Sequence, residues 1–258
     1  MSWRGDVQAF VDQAVTVRTP RTLHDLMDDI TREMGFDHFA LVHHVDLSGY
    51  SSQLRHMING EMVALSSYPG AWIDHYVASN YVKYDPVLQA SQRVAAGFEW
   101  ARLPTLVALN SDQRELMDRG ARAGVVDGFT IPAHVPGEPN GTCHFVVGPG
   151  RELPQRNLMM AQVVGSFAFD AARRMVMRAA GGAPAPGRLL SARQRECVIL
   201  VARGLTDMQI ARRLGIQEAT VKQHLADARA RFGVAKRVQA VIHALAEGQI
   251  AIEEVIDR

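Results

Sequence analysis

Residues 204–225, GLTDMQIARRLGIQEATVKQHL, decide how the C-terminal part of this chain folds. Gly204 stops the helical pattern before them and Thr206 is placed to cap a new helix. On that helix Ile210, Ala211 and Leu214 share one face. The "LGI" that follows makes a tight turn, because Gly215 is free to take positive φ. A second helix then carries Val221, Leu225, Ala228 and Phe232 at i, i+4, i+7 and i+11. Two short helices joined this way predict a helix-turn-helix.

Working outward, "LSARQRECVILVARG" precedes this pair, with Ser191 as its N-cap, and "RVQAVIHALAEG" follows it. The four patterns predict an all-α module over 189–258. Burying Val221 and Leu225 turns Thr220, Lys222, Gln223, Ala226 and Arg229 outward. Such a helix fits the major groove of double-stranded DNA, about 12 Å wide. With Thr206 at the start of the preceding helix, Thr220, Lys222, Gln223 and Ala226 form the expected DNA-contact set. Lys222 has the charge and reach for guanine O6/N7, while Arg229 and Arg231 suit phosphates or solvent. Charge agrees: residues 188–258 hold 12 Lys/Arg against 8 Asp/Glu, whereas 1–187 hold 16 against 19. A basic module behind a mildly acidic one suggests a polyanion partner.

Before it, "AAGGAPAPGR" at 179–188 cannot sustain a helix and reads as a linker. Residues 1–178 are then a separate domain. "FVDQAV" and "TLHDLMDDITREM" have helical spacing, with Thr22 as the expected N-cap and Leu23, Leu26, Met27, Ile30 and Met34 on one stripe. "FDHFALVHHV", "QLRHMI", "GFTIPAHV" and "TCHFVVG" read as strands. Helices are expected at 71–79, 86–95, 111–123 and 155–177. Strands amid flanking helices predict an α/β/α sandwich around an antiparallel sheet, so the whole chain is α+β. Cys143 and Cys197 are the only cysteines, which suits a reducing, cytoplasmic setting and excludes a disulfide framework. No apolar run is long enough to span a membrane, and "MSWRGDVQAF" lacks a signal-peptide core. His43 and His44 alternate on a strand and point to opposite faces, so no metal pair is expected.

The chemistry of the first domain concentrates in "WIDHYVASNYVKYDP", 72–86, which packs one Trp, three Tyr and a carboxylate against a proline in a chain of only 7% aromatic content. Neither an activated nucleophile nor a metal ligand set accompanies it, so an enzyme is not expected and no cofactor is implied. Aromatic stripes usually pack cores, and Tyr81 and Tyr84 fit that role. Asp85 does not, because a buried carboxylate without a partner costs several kcal/mol, and Lys83 is the one cation nearby.

The C-terminal stretch from Leu190 to about Leu245 resembles the LuxR-type DNA-binding domain, notably in "GLTDMQIARRLGI", "ATVKQHL" and "RARFGV". It departs at Gln194, where Glu is usual, and at Ala192, where Pro is common. From about Asp25 to Met177 the chain resembles the autoinducer-binding domain of quorum-sensing LuxR-family regulators. Six hallmark positions appear as Trp72, Tyr76, Asp85, Pro86, Trp100 and Gly128, at spacings of 4, 9, 1, 14 and 28. The resemblance implies a transcriptional regulator that binds an N-acyl-homoserine lactone, and promoter DNA as a homodimer, with RNA polymerase as a further partner. A non-lactone signal is the alternative.

On this reading Asp85 accepts the ligand's amide N–H, Trp72 donates to the lactone carbonyl and Tyr68 to the amide carbonyl. Tyr76 and Trp100 are flat walls, Gly128 relieves crowding, and Val87, Leu88, Leu116, Met117 and Val125 bury the tail. A Ser or Thr of the family falls on Val147, if "PGEPNG" carries a three-residue insertion, with Thr130 as a partial substitute. The terminal helix, with Val241, Leu245 and Ile250, is expected to contribute to dimerisation.

Overall fold

The computed structural model describes residues 3–43, 63–135, 140–179 and 189–256. The strand expected at "QLRHMI", His44, most of "PGEPNG" and the linker 180–188 lie outside them. The chain divides into two compact units, with the division between 181 and 182.

The first unit is built on a five-stranded antiparallel sheet: β1 (His38–His43), β2 (Val63–Ser66), β3 (Phe98–Glu99), β4 (Asp127–Ala133) and β5 (Gly141–Val147), in spatial order β2-β1-β5-β4-β3. Helices α1 (Trp3–Thr16), α2 (Pro20–Glu33) and α7 (Leu158–Ala179) pack together, with α2 and α7 against one face of the sheet. On the other side lie α3 (Gly70–Ala78), α4 (Pro86–Ser91), α5 (Leu103–Leu106) and α6 (Ser111–Arg122). This is the α/β/α sandwich.

Strand alternation divides the sheet's residues between the two layers. Phe129, Ile131, Cys143, Phe145 and Val147 share one face; there a Cβ on Gly165 of α7 would sit 3.0 Å from Ile131 and 3.2 Å from Cys143. The opposite face carries Gly128, Thr130, His144 and Val146, with His38 and Ala40 of β1 beside them.

Local chemistry sets the helix ends. The cap of α2 is Thr19, not Thr22: its side chain accepts from the Thr22 N–H, and Pro20 opens the first turn. Helix α4 stops at Ser91 rather than near Ala95. The Ser91 and Val94 carbonyls instead lie 3.1 and 3.3 Å from His134 Nε2, which takes the place of a continued helix. Helix α7 begins at Leu158 after a single 3₁₀ turn over Gln155–Asn157.

The second unit is helical: α8 (Ala192–Ala202), α9 (Asp207–Leu214), α10 (Glu218–Phe232), α11 (Arg237–Ala246) and the short α12 (Ile252–Val255). Val221, Leu225, Ala228 and Phe232 are buried with Ile210, Ala211 and Cys197 in one core. Gly215 and Gly233 end α9 and α10 at φ of +66° and +68°. Gln194, where the resemblance breaks, completes a capping box with Ser191: each side chain bonds the other's backbone N–H, at 2.9 and 3.3 Å.

Candidate signal-binding and DNA-reading sites

Pro86 opens α4, so Asp85 becomes its N-cap. Asp85 Oδ1 accepts from the backbone N–H groups of Val87 at 2.7 Å and Leu88 at 3.4 Å, while Oδ2 accepts from the Tyr76 hydroxyl at 2.7 Å. This corrects the expectation of a carboxylate with no polypeptide partner. It also changes the part played by Tyr76, which donates to Asp85 as well as packing edge-on to Trp72 at 5.9 Å. Neither Lys83 nor any other cation pairs with Asp85 among the described residues. Burial, the larger effect, raises the Asp85 carboxyl above its ordinary value of 3.8, and the bonds from Tyr76, Val87 and Leu88 oppose that rise. Burial and then the Asp85 charge likewise push the Tyr68 and Tyr76 hydroxyls up, so both stay protonated donors.

A carboxylate offers about four acceptor sites. Three are taken here, and the vacant one is on Oδ2. Trp72 is buried, yet its indole N–H has no hydrogen-bond partner among the described residues, and neither has the Tyr68 hydroxyl. These groups meet in one apolar cluster, where Trp72, Val87, Phe98, Trp100, Val125 and Val146 are buried and Tyr68, Tyr76, Tyr81 and Met117 pack around them. Leu88 and Leu116, expected tail contacts, are buried outside this cluster. Tyr81 is half-buried and packs on Trp72, as expected, whereas Tyr84 is exposed, its hydroxyl donating to the Ser79 carbonyl at 3.1 Å.

Trp100 differs from Trp72 because its N–H is spent. It donates to Thr130 Oγ1 at 2.8 Å, and Thr130 in turn lies 2.8 Å from His144 Nδ1. His144 Nε2 is 2.7 Å from Thr142 Oγ1. Gly128 makes room for this, since a Cβ there would sit 2.7 Å from the Trp100 ring. Val147 points to the α7 side of the sheet. The polar residue of β5 facing the cluster is His144, opposite Thr130. His144 and Thr142 escaped the sequence reading, although alternation in "TCHFVV" already puts them on one face.

In the second unit, Lys222 is exposed on α10 and pairs with Glu218 one turn earlier at 2.7 Å. Gln223 is also exposed and is bonded to Asp227 at 2.7 Å, while Thr220 and Ala226 are half-buried. Thr206 caps α9, its hydroxyl bonding Gln209. Arg229 and Arg231 are committed within the unit, to the carbonyls of Ala235 at 2.9 Å and Leu189 at 2.7 Å. Ile250 is buried, and Val241 and Leu245 pack on the core, so none of the three forms an outward apolar face. Val238 and Ile242, one turn apart on α11, do, being 61% and 58% exposed.

A model of the autoinducer binding domain matches residues 19–172, and a model of the bacterial regulatory proteins of the luxR family matches residues 188–244. The chain belongs to the LuxR family of transcriptional regulators. It is 24% identical to the transcriptional activator AhyR of Aeromonas hydrophila over 252 residues, covering 96% of this chain and 94% of that one. It is 29% identical to RpaR of Rhodopseudomonas palustris, a quorum sensing-dependent regulator, over 194 residues that span 74% of this chain and 76% of the relative. The crystal structure of Escherichia coli SdiA shares the fold, with a TM-score of 0.65 over 99% of this chain and all of that one at 19% identity. SdiA in complex with octanoyl-rac-glycerol gives the same score and identity over 96% of each chain.

The family identifies the first unit as the autoinducer-binding domain and the second as the DNA-binding domain of a transcriptional regulator, not an enzyme. No helix among the described residues is long and apolar enough to cross a membrane.

Proposed function

We propose that the chain senses an N-acyl-homoserine lactone and binds promoter DNA as a homodimer. The observation that carries the lactone reading is the set of unspent polar groups: one acceptor site on Asp85 Oδ2 and two donors, the Trp72 N–H and the Tyr68 hydroxyl. A ligand that satisfies them needs one N–H and two carbonyl oxygens on an apolar body. An acyl-homoserine lactone has its amide N–H, amide carbonyl, lactone carbonyl and acyl tail. Ligand that binds only the folded form stabilises it, by about 2.7 kcal/mol at 100 times Kd. Native mass spectrometry of protein expressed with a panel of lactones, and with octanoylglycerol as the non-lactone alternative, tests the class. Retention of the glycerol ester but of no lactone contradicts the proposal.

Acid should weaken binding. Since the Asp85 carboxyl is raised, its stabilising contribution to folding is present at low pH and is lost as pH rises through that raised value. An N–H donor favours the anion and acts in the opposite sense. Affinity is therefore expected to fall as pH drops through the raised value, above the range where an ordinary aspartate titrates. Calorimetric titration between neutral and mildly acidic pH checks this, and a flat profile contradicts it.

On DNA, Lys222 at the start of α10 supplies the guanine contact, and two copies present their helices to half-sites about 10 base pairs apart. Lys222→Ala is expected to weaken operator binding about tenfold or more while leaving lactone retention intact. We assign the dimer contact in this unit to Val238 and Ile242. Ile242→Asp should yield monomers in sedimentation and lose operator affinity; an unchanged dimer removes this face from the account.

A further inference from the structure

Most of the bonds that hold Asp85 come from its own stretch of chain. Its N–H donates to the Tyr81 carbonyl at 2.9 Å and its carbonyl accepts from the Gln89 N–H at 3.0 Å. Its carboxylate bonds come from Tyr76, Val87 and Leu88. All of these partners lie within 76–89. One bond reaches the segment from elsewhere. The Tyr84 carbonyl accepts from Gln113 Nε2 at 3.0 Å, 29 residues along the chain in the first turn of α6. The planar peptide between Tyr84 and Asp85 is thus bonded on both edges, at the Asp85 N–H and at the Tyr84 carbonyl. Its tilt sets the direction in which the Asp85 side chain leaves the backbone.

Gln113 is 3% exposed, and both of its Nε2 hydrogens are spent. The second goes to Gln89 Oε1 on α4 at 3.0 Å, while Gln113 Oε1 accepts from the Asn110 N–H at 3.1 Å. The Tyr84 carbonyl can only accept and the Asn110 N–H can only donate, so the amide faces one way. The Asn110 bond completes the capping box of α6, and a glutamate would complete it as well. The amide's hydrogens serve Tyr84 and Gln89 alone.

We propose that Gln113 is a positioning residue for signal recognition, holding the Tyr84–Asp85 peptide so that the Asp85 carboxylate meets the ligand's N–H. The proposal rests on the lactone reading. A recognising group must be held to within about 0.5 Å and 10–20° of its working geometry. Helix α4, only six residues long, has too few turns to fix that angle alone. The capped first turn of α6 supplies the anchor. Linkage is reciprocal: if the Gln113 bond favours the carboxylate position that binds the amide, the bound amide strengthens the Gln113 bond.

The test uses full-length protein, N-octanoyl-homoserine lactone and the ester analogue that has oxygen in place of its N–H. Gln113→Met removes the side-chain bonds without bringing a charge into the site. It should cut the preference for amide over ester about three- to tenfold, the worth of one hydrogen bond. Asn110→Ala is the structural control. It removes the cap that Asn110 Oδ1 gives the Gln113 N–H and leaves the Gln113 side chain tied, so the melting temperature should fall while the preference stays. In the wild type, the amide ligand should slow hydrogen exchange at Gln113 Nε2 more than the ester does, a measurement that stands whether or not Gln113→Met folds. A folded Gln113→Met with its preference intact overturns the proposal. So does a preference lost equally in Asn110→Ala, or equal slowing of exchange by the two ligands. A wild type that binds neither ligand, or both alike, overturns the lactone reading itself, and the proposal falls with it.

Discussion

Asp85→Asn is expected to bind lactone roughly 10- to 100-fold more weakly than the wild type while keeping its thermal stability to within about 1 kcal/mol. The asparagine carbonyl still caps α4, as Asp85 Oδ1 does for Val87 and Leu88. Where Oδ2 now accepts from Tyr76, however, asparagine presents an N–H₂, which can donate to the Tyr76 oxygen in place of the bond it breaks but faces the ligand's N–H donor to donor. Asp85→Ala removes both functions and should also lose about 1 kcal/mol or more of stability through the missing cap. Calorimetric binding and thermal melts on the two variants separate these roles. Equal loss of stability in both would show that the carboxylate's second oxygen matters for folding rather than for the ligand.

Gly128→Ala carries the largest expected effect on folding. Its Cβ would lie 2.7 and 2.9 Å from Trp100 ring atoms and 3.1 Å from the Phe145 carbonyl oxygen. The ring cannot simply swing aside, because its N–H is tied to Thr130 and the ring is part of the buried cluster. Overpacking of this kind costs about 1–3 kcal/mol, which at about 2–4 °C per kcal/mol for a unit of this size is a visible fall in melting temperature. Gly70→Ala is the control, since a Cβ there meets nothing within 4 Å. A Gly128→Ala melt that matches the control would mean Trp100 is looser than its contacts imply.

The DNA-binding unit was legible almost residue by residue. A helix's buried stripe depends on local periodicity alone, and Val221, Leu225, Ala228 and Phe232 are buried as that period requires. The sheet was harder. β2 and β3 span four and two residues, too short for alternation to register, and their pairing is set by partners distant in sequence. Asp85 was recognised as unusual for the wrong reason. Its proline neighbour announced a helix start, but the cap bonds from Val87 and Leu88 went uncounted. Val147 falls on the family's polar position only through the three-residue insertion inferred in "PGEPNG", and an odd shift of that kind exchanges the two faces of a strand, so the residue facing the cluster is His144, three positions earlier. His144 becomes visible only when β4 and β5 are paired.

The lactone reading stands on Asp85 Oδ2 receiving the signal's amide N–H at its unused acceptor position. The most direct measurement is a double-mutant cycle in which the second change is made in the ligand: an acyl-homoserine lactone against its ester analogue, with oxygen in place of N–H, each titrated into wild type and Asp85→Asn. The wild type should favour the amide by about tenfold or more, and Asp85→Asn should lose or reverse that preference. Equal affinity of the wild type for amide and ester, or a preference that survives Asp85→Asn, would contradict it.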